Sequence, residues 1–311
     1  MPLPTWRIIA AQLTTTPRHM YSLATRHSGS RLCPPMCLVS DIGHRTLREA
    51  GLPRVVDMTC RAALTQPGHL FGASPLWSRL FLAWVEALAA PPYDAFLPAA
   101  VTCEFMAAGY DLLDAVTDHD LSPEKHAHTL AASAALLRLS HGLLAGLDLP
   151  HACCVSAAAA LARTGRLTEA GHARDIDLRR QSTVSQDAVL AVLRWRSGTL
   201  VAAPCQLAAL LAGTPWRAVA VAGRFGDVLG RAAQLEDDLA DMAEDERSGR
   251  KTVPLLLARL YPMQSEVAEA ATWVLIRRFQ REAARMLTHP SINQTRTEAL
   301  WTLLPPALRA A

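Results

Sequence analysis

Apolar and polar positions recur along most of this chain every three to four residues, the spacing of helices that turn one face to a core. From about residue 77 the pattern persists almost to the C-terminus. It predicts helices over Trp77–Ala90, Leu97–Thr117, Glu124–Leu147, His151–Thr164, Thr168–Leu178, Gln186–Leu211, Trp216–Ala243, Val253–Tyr261, Glu266–Leu287 and Thr295–Leu303. The breaks carry turn chemistry: Pro91-Pro92, Asp148 to Pro150, Gly213 to Pro215, Pro262 and His289-Pro290. No run alternates with the strand period of two, and no short repeat recurs. The first 70 residues are different. Proline and glycine interrupt them at Pro34-Pro35, Gly43, Gly51, Pro53 and Pro67-Gly68, and only Arg54–Leu64 reads as a short helix. The expectation is a poorly defined N-terminal segment, 1–70, and a single all-α domain over 71–311.

Composition narrows the function. Half of the 311 residues are hydrophobic, enough for a sizeable core, and disorder is excluded as the dominant state. The 31 basic residues are nearly balanced by 28 acidic ones, which argues against a general nucleic-acid partner. All the basic residues are arginine except Lys125 and Lys251. Seven cysteines (33, 37, 60, 103, 153, 154 and 205) make an odd count with no CxxC pair, against a disulfide scaffold or structural zinc. His119, His126, His128, His141 and His151 cluster in sequence without metal-ligand spacing, and Cys153-Cys154 reads as core. The N-terminus lacks a signal-peptide layout, so a cytoplasmic location is expected. Ser197–Trp216 carries no charge over a membrane-span length, but Pro204, Gln206, Gly213 and Pro215 make it a buried helix instead.

Two acidic stripes carry the chemical signal. Residues 234–241 read Gln-Leu-Glu-Asp-Asp-Leu-Ala-Asp at the end of a long helix. Asp237 and Asp241 share a face, with Gln234 one turn earlier. Glu236, Asp237, Asp238, Asp241 and Glu244 stand at the negative end of the helix dipole, an arrangement that a cation relieves. Hard divalent ions such as Mg²⁺ take such oxygens. The second stripe is Asp111, Asp114 and Asp118, with Glu104 upstream, in apolar surroundings. Buried acids there are costly unless paired or metal-bound. A salt-bridged solvated face is the bland reading of each stripe, and a helical scaffold or ligand-sensing domain is the bland reading of the chain.

Together the stripes resemble the class I isoprenoid synthases, specifically the trans-prenyl diphosphate synthase (polyprenyl synthetase) family. Residues 234–241 match the second Asp-rich motif of that family. Asp114 to Asp118, Asp-Ala-Val-Thr-Asp, match the first, with Ala115 where the family has its second Asp. Three further segments follow in order: Gly171 to Asp175, with His172 in place of Gln; Arg196 to Leu200, with Arg196 in place of a diphosphate-binding Lys; and Gly249 to Pro254, which includes Lys251. The resemblance spans about Trp77 to Leu304. It implies a helical bundle in which two Asp-rich helices face each other, a homodimer, and three Mg²⁺ ions that hold the diphosphate of an allylic substrate. Asp114, Asp118, Asp237 and Asp241 are the implied metal ligands, with Asp238 binding through water or orienting them. Arg196 and Lys251 are implied to add fixed positive charge to the leaving diphosphate, and Gln234 and Asp111 to line the substrate site. Tyr110, one turn before Asp114, is either the floor of a prenyl-tail pocket or ordinary core.

The family's isopentenyl diphosphate site is a basic segment before the first motif and an arginine pair after it. Here Ala73 to Arg79 offers only Arg79, the related Gly29–Pro34 segment lies too far upstream, and no arginine pair follows Asp118. Three readings follow. The first is a prenyltransferase whose acceptor is isopentenyl diphosphate in a degenerate site or another nucleophile. The second is a terpene synthase on the same scaffold. The third is a non-catalytic partner subunit.

Overall fold

The computed structural model describes residues 35–88, 93–117, 121–260 and 265–309. Among them every regular element is helical: α1 Pro35–Glu49, α2 Arg54–Leu64, α3 Trp77–Ala87, a 3₁₀ turn Tyr93–Phe96, α4 Leu97–Thr117, α5 Pro123–Ala145, α6 His151–Arg179, α7 Gln186–Leu193, a π turn Arg194–Gly198, α8 Thr199–Leu211, α9 Trp216–Ala240, α10 Met242–Ser248, α11 Val253–Leu260, α12 Ser265–Leu287, a 3₁₀ turn Gln294–Arg296, α13 Glu298–Trp301 and α14 Pro306–Arg309.

The core is built around α4, whose residues 99–110 are all buried. By length and composition, Tyr93–Thr117 is the one described helical run able to cross a membrane, yet 78% of its most apolar 18-residue stretch is buried inside the bundle. α3 is nearly as enclosed: Phe81 meets Phe96, and Trp84 meets Phe225 of α9 edge-on at 5.4 Å. The uncharged stretch 197–216 becomes α8, with Val201, Cys205, Leu207 and Ala209 buried within this chain. That helix is therefore spent on the chain's own core and gives no support to a homodimer.

Glycines set the closest approach, between α8 and α9. A Cβ at Gly226 would lie 2.5 Å from the Val201 carbonyl, and one at Gly230 would strike the Ser197 carbonyl. A side chain at either position would push apart the elements that carry Arg196 and Asp237.

Several predicted boundaries shift, each for a local reason. His151–Thr164 and Thr168–Leu178 are one helix, because Gly165 is tolerated in its interior where the Tyr110 hydroxyl comes against it. Gln186–Leu211 is interrupted by the π turn, whose extra residue re-aims Arg196 and Ser197. Trp216–Ala243 ends at Ala240. Asp241 there leaves the helical conformation (φ −104°, ψ 11°), so α10 starts in a new direction and stops at Gly249 with φ 77°. Thr295–Leu303 is a 3₁₀ turn followed by a single helical turn. α1 was not predicted. Its buried Val39 and Leu47 lie two turns apart with Gly43 between them, where a Cβ would strike Leu70.

Candidate active site

The last turns of α4 emerge from the core at Asp111 and Asp114, both half-buried. Asp114 Oδ1 accepts from Arg196 Nη2 at 2.6 Å and lies 2.9 Å from His172 Nδ1 on α6. Arg196 Nη1 donates to Asp175 Oδ2 at 2.8 Å, and Arg179 donates to that same oxygen at 2.6 Å. The π turn thus delivers a guanidinium that bridges two carboxylates from different helices. Burial alone would raise Asp114, but the Arg196 charge, His172 and the more distant Arg250 together outweigh it and hold the carboxyl down at about 2.

The end of α9 is organised differently. Ser197 Oγ donates to Gln234 Oε1 at 2.7 Å, and Gln234 Nε2 donates to Asp238 Oδ1 at 2.8 Å. Asp237 and Asp238 are buried. Burial, joined by the charges of Asp245 and Asp237, pushes Asp238 up to about 8 against the Gln234 hydrogen bond and Arg196. Asp245, on α10, is pushed to about 6 by burial and by Asp241, Asp175 and Glu244, although Arg250 Nη1 stands 3.7 Å away. Asp241 is also raised, by burial and then Glu244.

These cross-influences put the two acidic helices in one site. Arg196 acts on both Asp114 and Asp238, and Arg250 acts on Asp114, Asp241 and Asp245. Glu236 stands apart: it accepts from Gln280 of α12 at 2.9 Å. Lys251 is half-buried next to Arg250 and forms no ion pair with a described residue. Asp118 lies outside the described residues, as do His119 and the Gly29–Pro34 segment.

The expected single face of Asp111 and Asp114 is split between two partners. Asp111 accepts from His69 Nε2 at 2.7 Å. The other ring nitrogen of His69 lies 4.0 Å from Glu104, a fully buried carboxylate whose Oε1 accepts from the Ser78 N–H and hydroxyl. Burial pushes Glu104 up to about 7, opposed by His69 and Ser78. Tyr110 is buried with its hydroxyl against Gly165 of α6, and burial pushes it up to about 12.

Sequence reasoning left several of these groups without a role. His172 and Asp175 were legible only as parts of a segment and Arg250 as a neighbour of Lys251, while Asp245 was missed although it stands four residues after Asp241. His69 lies in a turn-rich loop and has no local signal. That loop is fixed by Gly68 and Leu76 N–H donations at 2.8 Å, to Ala73 and to Gly68.

The site fits Mg²⁺ by donor chemistry. Its acids are hard oxygen donors, and those at the end of α9 are buried beside one another, where a divalent cation relieves their repulsion. Among the described residues no three such groups already converge as a preformed metal cluster.

Residues 124–254 match the family model for polyprenyl synthetase. A (2E,6E)-farnesyl diphosphate synthase of Mycobacterium bovis is 29% identical over a 251-residue alignment that covers 74% of this chain. The chain is therefore similar to the polyprenyl synthetase family over this region. It spans 65% of the length of that mycobacterial relative. Its bundle is the isoprenoid synthase fold. A geranylgeranyl pyrophosphate synthetase from the archaeon Geoglobus acetivorans superposes with a TM-score of 0.74 at 19% identity, covering 86% of this chain and 98% of the other. A Caulobacter crescentus polyprenyl synthase, solved with calcium and isoprenyl diphosphate, superposes at 0.73 and 20% identity, covering 94% and 95%. The segments quoted for the family resemblance from Gly171 to Pro254 all fall within the matched range. Asp114 lies outside it but inside the same bundle, bonded to Arg196 and His172.

Proposed function

We propose that this polyprenyl synthetase relative is a Mg²⁺-dependent prenyltransferase of isoprenoid biosynthesis. It ionises a geranyl-, farnesyl- or geranylgeranyl-type diphosphate and transfers the prenyl group to an acceptor, isopentenyl diphosphate first among those to be tested. The observation that carries this reading is the meeting of Asp114, bridged by Arg196, with the buried Asp237 and Asp238 at one end of the bundle. The calcium and isoprenyl diphosphate in the Caulobacter relative support it.

Asp114, Asp237 and Asp241, with Asp118, would hold the metal, which when bound neutralises charge on the departing diphosphate. Asp175 anchors Arg196 through Nη1, so the guanidinium is fixed while Nη2 passes from Asp114 to a diphosphate oxygen. Lys251 and Arg250 add positive charge from the turn after α10. Gln234, itself held by Ser197, fixes the orientation of Asp238. The buried walls of α4 and α8 keep water from the carbocation. A homodimer, on the family resemblance, and a cytoplasmic location, on the odd cysteine count without a CxxC pair, complete this reading.

The test is product analysis with purified protein, Mg²⁺ and each allylic diphosphate, with and without isopentenyl diphosphate. A longer linear diphosphate formed only when both are present supports the reading. A hydrocarbon or alcohol from the allylic substrate alone replaces transfer by a terpene-synthase activity. A folded protein that is silent in every tube overturns the catalytic reading.

A further inference from the structure

The outer face of α12 carries chemistry that the active site does not use. The helix turns Ala268, Thr272, Ile276, Phe279, Ala283 and Leu287 into the bundle. Its opposite side leaves Val267, Trp273 and Val274 exposed, Val274 by 65%, and Leu260 at the end of the adjoining α11 is 62% exposed. These are four of the ten large apolar side chains that the described residues leave in solvent. One or two turns further on, Arg277, Arg278, Arg281 and Arg285 are all exposed, and none pairs with a described acid. Glu282 is turned inward to Arg224 at 2.6 Å, and the exposed acids Glu266 and Glu269 sit in the first two turns. In a chain whose net charge is only +3, this sorting of apolar groups and then arginines along one exposed face is distinctive.

The face also has a defined place. The inner side of α12 is fixed on α9: Gln280 meets Glu236, Phe279 meets Arg231, and Glu282 meets Arg224.

We propose that the outer face of α12, with the end of α11, docks on an anionic lipid bilayer. Arginine forks pair with lipid phosphates, while Trp273, Val274 and Leu260 enter the headgroup boundary. An acidic protein would satisfy the arginines but leave the exposed apolar groups unexplained. The proposal does not depend on the prenyl-transfer reading, although a diphosphate with an apolar tail partitions into the same surface.

The test is sedimentation of the full chain with phosphatidylcholine vesicles, with and without about a third phosphatidylglycerol. The protein is expected to sediment only with the anionic vesicles and to be released by salt. Arg278→Gln/Arg281→Gln should lower the partition coefficient by about 25-fold, near fivefold for each arginine lost. Val274→Ser should weaken binding at unchanged salt dependence. Thermal melting checks that each variant folds, and a folded variant that releases diphosphate at the parent rate keeps its active site. Failure to sediment with anionic vesicles overturns the proposal. So does equal binding to neutral vesicles, binding untouched by the arginine variants, or capture by soluble polyglutamate with no vesicle binding.

Discussion

The two acidic helix ends differ in how their charge is met. At the end of α4 the protein supplies its own partners: Arg196 and His172 lie on Asp114, and His69 lies on Asp111. Asp114 is held near 2 as a result. At the end of α9 the acids outnumber the cations, and Asp238 and Asp245 are held above the usual carboxylate range. The same residue type thus has opposite electrostatics at the two ends of one site. Buried carboxylates are costly unless paired or metal-bound. The α4 end is a pre-neutralised wall, and the α9 end is the side that gains most from an external cation.

The largest test of that contrast is on catalysis. Asp237→Asn and Asp114→Asn should each lower Mg²⁺-dependent diphosphate release by about a thousandfold, as loss of transition-state charge stabilisation does. Their magnesium titrations should separate them: the half-saturating concentration rises in Asp237→Asn and moves less in Asp114→Asn. Equal shifts would erase the distinction between the two ends.

Arg196→Gln should cost about a hundredfold to a thousandfold in kcat. It removes a fixed charge and releases both Asp114 and Asp175. Arg196→Lys keeps the charge but loses the fork that spans two carboxylates, and should fall between wild type and Arg196→Gln. A smaller effect is expected at Gln234, which touches Ser197 and Asp238. Gln234→Ala should weaken apparent magnesium affinity about 10- to 100-fold with a milder change in kcat, measured by metal titration of the rate.

The smallest effect is on stability. Glu104 has a folded value of about 7, above its ordinary 4.5, chiefly through burial. A raised acid contributes stability that is fully present below about 4.5 and lost as pH rises through about 7. His69 is raised as well, Asp111 outweighing its burial, and so loses stability in the same direction. Asp114 is depressed, so its contribution is present above 3.8 and lost as pH falls towards 2. The melting temperature should therefore fall by a few degrees between about pH 4.5 and about pH 7, with the raised Asp238 and Asp245 adding to the same fall. Glu104→Gln should flatten that slope; an unchanged slope would place the responsible charge elsewhere.

How much of this was legible depended on whether the cause was local. α4 matches its predicted range, Leu97–Thr117, because its apolar run and its boundaries are local signals. The acidic stripes were legible for the same reason. α1 was hidden by Gly43, whose role is set by Leu70 in a distant loop. The π turn was hidden because its extra residue is decided by packing, with Gly198 seated against Asp227 of α9. His69 could not be assigned to Asp111, since their pairing joins a loop to a helix 42 residues away. The spacing of Asp111 and Asp114 was read correctly as helical, but which neighbours each side chain meets is tertiary information. The chemistry was thus visible as residue types in order, and its electrostatics only once the helices were packed.

The most direct test is calorimetric binding of a non-reactive allylic thiolodiphosphate, with Mg²⁺ and with EDTA, to the wild type, Asp114→Asn and Asp237→Asn. Binding that needs Mg²⁺ and is lost in Asp237→Asn, with a smaller loss of metal dependence in Asp114→Asn, is the predicted result. Equally tight binding in EDTA, or in Asp237→Asn, would contradict a metal-dependent diphosphate site between these two helices.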